Sequence, residues 1–432
     1  MSDVHRRLRF ANRSQQEMRT DSVDQLLPPE HPARDVWEFV GRLDLSELLK
    51  RIRSLPGRAG APAIDPRVLL SLWLYATSQG VGSARALAEL CQNHLVYRWL
   101  SGNLEINYHT LSDFRTGQGE FLNTLLTQMV ATMMHQGLID LKRVAQDGMK
   151  VRAAAGGSSF RRPASIEKCM QEAQAQVEAL RRQDDEDTGG VGRRQQAARE
   201  RAAADRLARL EAAQRELGQL RRENEEKRKE RRKPPDELRC STTDPEARKM
   251  KMADGGFRPA YNVQLATATD GGVIVGVAVT QAGHDAEQMT PMLGQLHGRY
   301  GRGPAEMLAD GGFVNLGAID AAHADGTAVY APVKEPDRQR AEGRDPYAPK
   351  PGDKAGTIVW RARMGTEAAQ KIYQERAGTA EWVNAQLHNH GLTRFRLRGI
   401  TKVLSEALWQ AVTHNLQRLL SCQRRPAFSG AA

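Results

Sequence analysis

Glu306-Met307-Leu308-Ala309-Asp310-Gly311-Gly312-Phe313 reads as a short buried strand that stops at a carboxylate and two glycines. An Asp at the carboxyl end of a strand, followed by residues that let the chain turn sharply, is a common way to present a metal ligand. Two further carboxylates, Asp147 upstream and Glu381 downstream, fall where partners for it are expected.

The flanking pattern builds a sheet around that strand. Leu141 to Ala153 alternates, with Leu141, Arg143, Ala145 and Asp147 on one face. Tyr261 to Thr269 alternates too, Asp270-Gly271-Gly272 reads as a hairpin turn, and Val273 to Thr280 is a β-branched neighbour. Asp285 to Tyr300 is amphipathic, with Asp285 read as its cap. Beyond Asp310 come a helix at Asn315 to Ala324, a strand at Thr327 to Val333 and an exposed loop at Glu335 to Gly356. A long helix from Thr366 to Asn389 carries Glu381, and a last helix runs from Gly399 to Leu420. This is the order of a ribonuclease-H-like α/β fold on a mixed five-stranded sheet. Its first and fourth strands are neighbours, so Asp147 and Asp310 are expected side by side, with a later helix delivering the third acid.

Two helical regions complete the chain. Residues 1–140 read as an all-α domain: Asp65-Pro66 starts a helix to Thr77, Ser83 caps another, and Tyr108 to Arg115 opens a third with Thr110 or Ser112 as caps. Short helices with Gly-containing turns suit a DNA-groove reader or a plain bundle. The region holds 15 Lys+Arg and 15 Asp+Glu, so charge does not single it out as a clamp. Residues 164–235 interrupt the sheet between 141–163 and 236–423. Ile166, Met170, Ala173, Val177 and Leu180, then Ala203, Leu207, Leu210 and Leu217, keep a coiled-coil rhythm. Ala164 to Gly192 sums to −4 (three basic, seven acidic) and Arg193 to Lys233 to +7 (fifteen basic, eight acidic), which favours an inserted antiparallel helical hairpin. Residues 424–432 form a polar tail.

The whole chain of 432 residues carries +11 and a pI near 9.6, favouring a polyanionic partner. Cys91, Cys169, Cys240 and Cys422 form no C-x-x-C pair, so a reducing compartment and no zinc site are expected. Met1 to Phe10 is Arg-rich without an apolar run, and no stretch is long enough to span a membrane; a cytoplasmic protein is expected.

Two divalent cations shared by three carboxylates can activate one oxygen of a phosphodiester and steady the leaving one. Magnesium wants such oxygen ligands. Here the residues resemble a family. "LLPPEHPARDVWEFVGRLDL", "NYHTLSDFR", "AQDGMKVRAAA" around Asp147, "TDPEARKMKMADGGFRPAYNVQLA", "LADGGF" around Asp310 and "EWVNAQLHNHGLTRFRLRG" from Glu381 are similar, in order, to bacterial insertion-sequence DDE transposases of the eleven-eighty-two type.

The resemblance implies cleavage at terminal inverted repeats and joining of 3′-hydroxyl ends to target DNA. Asp147, Asp310 and Glu381 would be the catalytic metal ligands for two Mg²⁺ ions, with Mn²⁺ as a substitute. The partners implied are double-stranded DNA and a second copy of the chain, in a bacterial, nucleoid-associated setting. Related transposases carry a Tyr, Arg, Glu and Lys signature on the last catalytic helix. Tyr373 and Arg376 keep their spacing, but four residues rather than three separate Arg376 from Glu381, and His388 stands where the Lys is expected. Tyr373, Arg376 and His388, with Arg394, Arg396, Arg398 and Lys402, are the candidate DNA contacts.

Ala-Asp-Gly-Gly-Phe occurs twice, at 253–257 and 309–313. Asp254 precedes its strand and reads as a turn residue. Glu375, a competitor of Glu381, lies nearly half a helical turn away and faces elsewhere. A nuclease or resolvase that cuts without joining, or an inactive DNA-binding descendant of a transposase, would share these features.

Overall fold

A computed structural model of the chain describes residues 14, 22–54, 61–184 and 190–424; the Arg-rich residues 1–10 and the tail beyond 424 lie outside them. Helices come first: α1 (Pro32–Gly41), α2 (Ser46–Lys50), α3 (Pro66–Ser78), α4 (Ala84–Asn93), α5 (Leu95–Ser101), α6 (Tyr108–Gly117) and α7 (Gly119–His135). Asp65 accepts from the Arg67 N–H ahead of α3, and Ser83 from the Ala86 N–H ahead of α4, as their positions predict. The start of α6 differs. Asn107, still extended, accepts from the His109 N–H, so Thr110 and Ser112 fall inside the helix.

The sheet is mixed and has six strands rather than five. β1 (Arg143–Arg152) precedes a small two-stranded ribbon of β2 (Phe160–Arg161) and β3 (Cys240–Ser241). Then come β4 (Arg248–Lys251), β5 (Phe257–Ala268), β6 (Val273–Thr280), β7 (Glu306–Leu308) and β8 (Ala328–Tyr330). Long β5 carries antiparallel β1 on one edge and, on the other, antiparallel β6 over Asn262 to Ala268 with β4 beyond it. β7 pairs parallel with β1, and β8 parallel with β7. The added strand β4 pairs with the start of β5 across a turn in which Asp254 Oδ1 accepts from the Gly256 N–H and its carboxylate pairs with Arg258. Asp254 is therefore a turn residue, as read.

Between β2 and β3, α8 (Pro163–Asp184) and α9 (Gly190–Glu225) pack as an antiparallel pair, Gln196 reaching the Leu180 carbonyl and Arg206 reaching Gln176. Ile166, Ala213 and Leu217 close its base against Leu238 and Cys240. The arm ends at Glu225, well before Pro234.

Two connections differ from the sequence reading. α10 (Met289–Tyr300) starts four residues after Asp285, whose Oδ1 instead accepts from Asn262 Nδ2 at 2.7 Å and Gln264 Nε2 at 2.6 Å. Two buried amides on β5 outcompete the cap. After α11 (Leu316–Ala324), the segment read as an exposed loop contains α12 (Pro336–Ala341) and meets α13 (Ala355–Met364). Trp360 Nε1 donates to the Ala331 carbonyl and Arg361 pairs with Asp353 at 2.8 Å, both buried, which anchors this polar stretch. α14 (Glu367–Arg376), a π turn (Ala377–Glu381) and α15 (Trp382–Asn389) form the long helix expected, followed by α16 (Ile400–Arg424).

The core does not divide at residue 140. One hydrophobic cluster joins Leu72, Trp73 and Leu111 of the amino-terminal helices to Val151, Tyr261 and Val263 of the sheet through Val403, Trp409 and Val412 of α16.

Candidate active site

Strand register decides where the first two acids stand. In the parallel ladder Ala145 lies opposite Leu308. Asp147 and Asp310 each follow two residues later, so they stand level on adjacent strands, as expected, Asp147 midway along β1 and Asp310 just past the end of β7. The turn after Asp310 is held by its own side chain, Oδ1 accepting from the Gly312 N–H at 2.7 Å. That contact uses Asp310 as a cap for the short turn Gly311–Phe313 and points its carboxylate away from the strand.

Asp147 is the buried member of the set, its side chain 16% exposed. Burial pushes its pKa up to about 6; Arg376 and the Gly148 N–H pull it down, while Asp310 and Asp285 push it further up. Its Oδ1 accepts from the Gly148 N–H at 3.0 Å and faces the Arg376 guanidinium at 3.8 Å, and its Oδ2 accepts from Asn384 Nδ2 at 2.8 Å.

Glu381 joins through the same arginine: Arg376 Nη2 donates to its Oε1 at 3.1 Å. In an α-helix, residues five apart point about 140° away from each other. Residues 377–381 form a π turn, the local form a helix takes when it holds one residue too many. The wider turn brings Arg376 and Glu381 back to one side. The unexpected fourth residue between them is thereby absorbed. Glu375 faces elsewhere, as read, and pairs with Arg143 at 2.6 Å.

Arg376 therefore stands between Asp147 and Glu381, with Tyr373 beneath it at 6.0 Å from guanidinium to ring centre. Among the described residues no three His, Cys, Asp or Glu side chains are already gathered within reach of a single metal ion. The donors are nonetheless hard oxygens, and the side-chain oxygen of Asn384 is buried without a partner beside them. Those are features that suit an oxygen-seeking divalent cation.

The basic candidates are distributed unevenly. His388 is exposed two turns beyond Glu381. Arg394 and Arg398 are exposed at the end of β1, each using Nε on a carbonyl, of Ala153 and Ala154 respectively. Lys402 lines a groove between α9 and the β3–β4 loop with Arg398, Arg209 and Arg215, which Asp205, Glu216, Asp244 and Glu246 line as well. Arg396 is exposed as well, but its backbone N–H donates to Glu406 and its side chain lies against Gly82 of the helical region. Asn384 was not singled out from the sequence; its place one helical turn after Glu381 is the signal that points to it.

The family model described as Transposase domain (DUF772) matches residues 21–117, which span the helices through α6. A second, described as Transposase DDE domain, matches residues 354–420, from the start of α13 into α16. Both matched domains are those of insertion-sequence DDE transposases, which the chain resembles at its two ends. No curated protein and no solved structure matches it. The second matched region holds Arg376, Glu381, His388 and the basic run, whereas Asp147 and Asp310 lie outside both matches. Among its described residues no helix is long and apolar enough to cross a membrane.

Proposed function

We propose that this chain is a transposase with a ribonuclease-H-like catalytic domain of the eleven-eighty-two type, which cuts DNA at the terminal inverted repeats of its insertion sequence. It then joins the freed 3′-hydroxyl ends to target DNA. The observation that carries the reading is the β1–β7 ladder, whose register sets Asp147 and Asp310 level on adjacent strands, while the π turn lets Glu381 share Arg376 with Asp147. Asp147, Asp310 and Glu381 would hold two magnesium ions, or manganese in their place. Bound there, the ions supply activation of the attacking oxygen and charge relief at the leaving one.

The chain's own groups do the positioning. Asn384 and the Gly148 N–H orient Asp147, and Arg376 offers positive charge to both Asp147 and Glu381 as well as to an incoming phosphate. His388, Arg394, Arg398 and Lys402 are exposed or line an open groove nearby and serve as phosphate contacts. Arg396 is exposed too, but its side chain lies along Gly82, which makes it the weakest of that set. Two DNA ends require a dimer in the active complex. Incubating purified protein with labelled element ends and Mg²⁺ tests the proposal: joined products are expected. Cuts without joining would favour a nuclease, and binding alone an inactive descendant.

A further inference from the structure

Asn384 makes a contact that the acid site needs and that helix packing does not. It lies on α15, whose grip on the core comes from Val383 and Leu387, both fully buried. Its Nδ2 donates to Asp147 Oδ2 at 2.8 Å, and its Oδ1 is buried with no donor. The orientation of the amide is fixed chemically, because turning it over would set a carbonyl oxygen against a carboxylate oxygen. A buried acceptor left without a donor costs about 1–3 kcal/mol. An apolar side chain of the same shape would avoid that cost, so stability alone does not account for an amide here.

The contact also crosses between elements. Asp147 belongs to β1, whereas Asn384 shares its helix with Glu381, one turn earlier. The hydrogen bond therefore sets the strand-borne acid relative to the helix-borne one. Without it, Asp147 Oδ2 keeps no protein donor, and the carboxylate is held at Oδ1 alone, by the Gly148 N–H and the more distant Arg376.

We propose that Asn384 is a positioning residue that locks the Asp147 carboxylate in the orientation in which it shares divalent cations with Glu381. The proposal rests on the acid-site reading above. Groups that orient a ligating carboxylate typically change metal affinity 10–100-fold when removed.

The test is Mn²⁺ binding to the full chain, followed by the free-ion spin resonance signal, alongside thermal unfolding and cleavage of labelled element ends. Asn384→Leu keeps the shape and removes both polar groups; Asn384→Ser is a smaller second variant should the first fold poorly. Expected is Mn²⁺ binding weakened at least about tenfold, with an unfolding midpoint in Asn384→Leu equal to or above that of the unaltered chain. Unaltered chain that binds Mn²⁺ in an Asp147-dependent way, together with variants that bind it equally well, overturns the positioning role and leaves the acid site standing. If the unaltered chain shows no Asp147-dependent binding, the acid-site reading itself fails and takes this inference with it. A variant that lowers the unfolding midpoint but keeps Mn²⁺ affinity marks Asn384 as merely structural.

Discussion

Asp147 is a carboxylate kept where ionisation is costly. Burial raises its pKa from 3.8 to about 6 even against the pull of Arg376, so at neutral pH its ionisation costs the folded chain roughly 3 kcal/mol net. Asp147→Asn keeps an acceptor for the Gly148 N–H, and its new amide group can donate to the orphaned Asn384 oxygen. The expected outcome is a higher urea midpoint at pH 7.5 without added metal, and cleavage of labelled element ends reduced about a thousandfold or more. A variant that is less stable yet still cleaves would remove Asp147 from the site. Arg376→Ala tests the other side of the same contact. It takes away the cation nearest to both Asp147 and Glu381 and should lower cleavage by about 10–1000-fold while leaving Asp310, held by its own turn, in place.

At the scale of elements, the parts legible in the sequence are those with a strict period or a hard stop. The alternation of β1 and β5, the Gly pair after Asp310 and the Asp270 to Gly272 turn gave the sheet its order and the two strand-borne acids their place. β4 was hidden because four residues are too few to show a period: Lys249 and Lys251 are exposed and Met250 alone is buried. α13 was hidden by its charged surroundings, since nothing local shows that Arg361 and Asp353 are buried together. The π turn showed only as a surplus residue against the spacing of related transposases, and its consequence is testable. Deleting Gly378, an exposed position with open space beside it, returns α14 and α15 to one continuous α-helix. Arg376 and Glu381 then lie four residues apart, about 40° around a regular helix and still on one side. Helical content by circular dichroism should be unchanged and end cleavage should stay within about tenfold of that of the unaltered chain. Cleavage lost altogether would mean that the π turn does more than bring Arg376 and Glu381 to one side.

α16 gives the same scale a pH dependence. His414 is buried, its Nε2 bonded to the Gly272 carbonyl at 2.8 Å and its ring set edge-on to Trp382, the neighbour of Glu381. Burial lowers its pKa from 6.5 to about 4. A histidine depressed on folding is protonated first in the unfolded chain, so the stability it permits is complete above pH 6.5 and is lost as pH falls towards 4. Between pH 7.5 and 5 this amounts to about 2 kcal/mol. His414→Gln can still donate to Gly272 and does not titrate. Its urea unfolding should lose about that much of the acid sensitivity, and an unchanged pH slope would place the titration elsewhere.

Across the whole molecule, the amino-terminal helices and the sheet are bound by one shared core rather than by a linker. Trp409 Nε1 and Ser405 Oγ of α16 both donate to the Arg115 carbonyl of α6, and α16 packs on α3, α6 and α7 as well as on β6. α10 is tied to α7 by Arg299, which bonds the Asn123 carbonyl at 3.1 Å and the Thr127 hydroxyl at 2.6 Å. Removing residues 1–140 would uncover the face of α16 that carries Trp409 and Val412, apolar area that a free-standing domain would not expose. A fragment of residues 141–432 is therefore expected to be insoluble or molten when made alone, with no cooperative unfolding transition, and to recover one when 1–140 is co-expressed. In the intact chain, Trp409→Ala should cost about 3–5 kcal/mol and lower a single transition followed both by helix signal and by fluorescence of the remaining tryptophans. Trp37, Trp73 and Trp99 report the amino-terminal helices and Trp360 and Trp382 the sheet side. Two separate transitions, with only one of them moved, would show that the helices fold as their own unit and that the acid site does not depend on them.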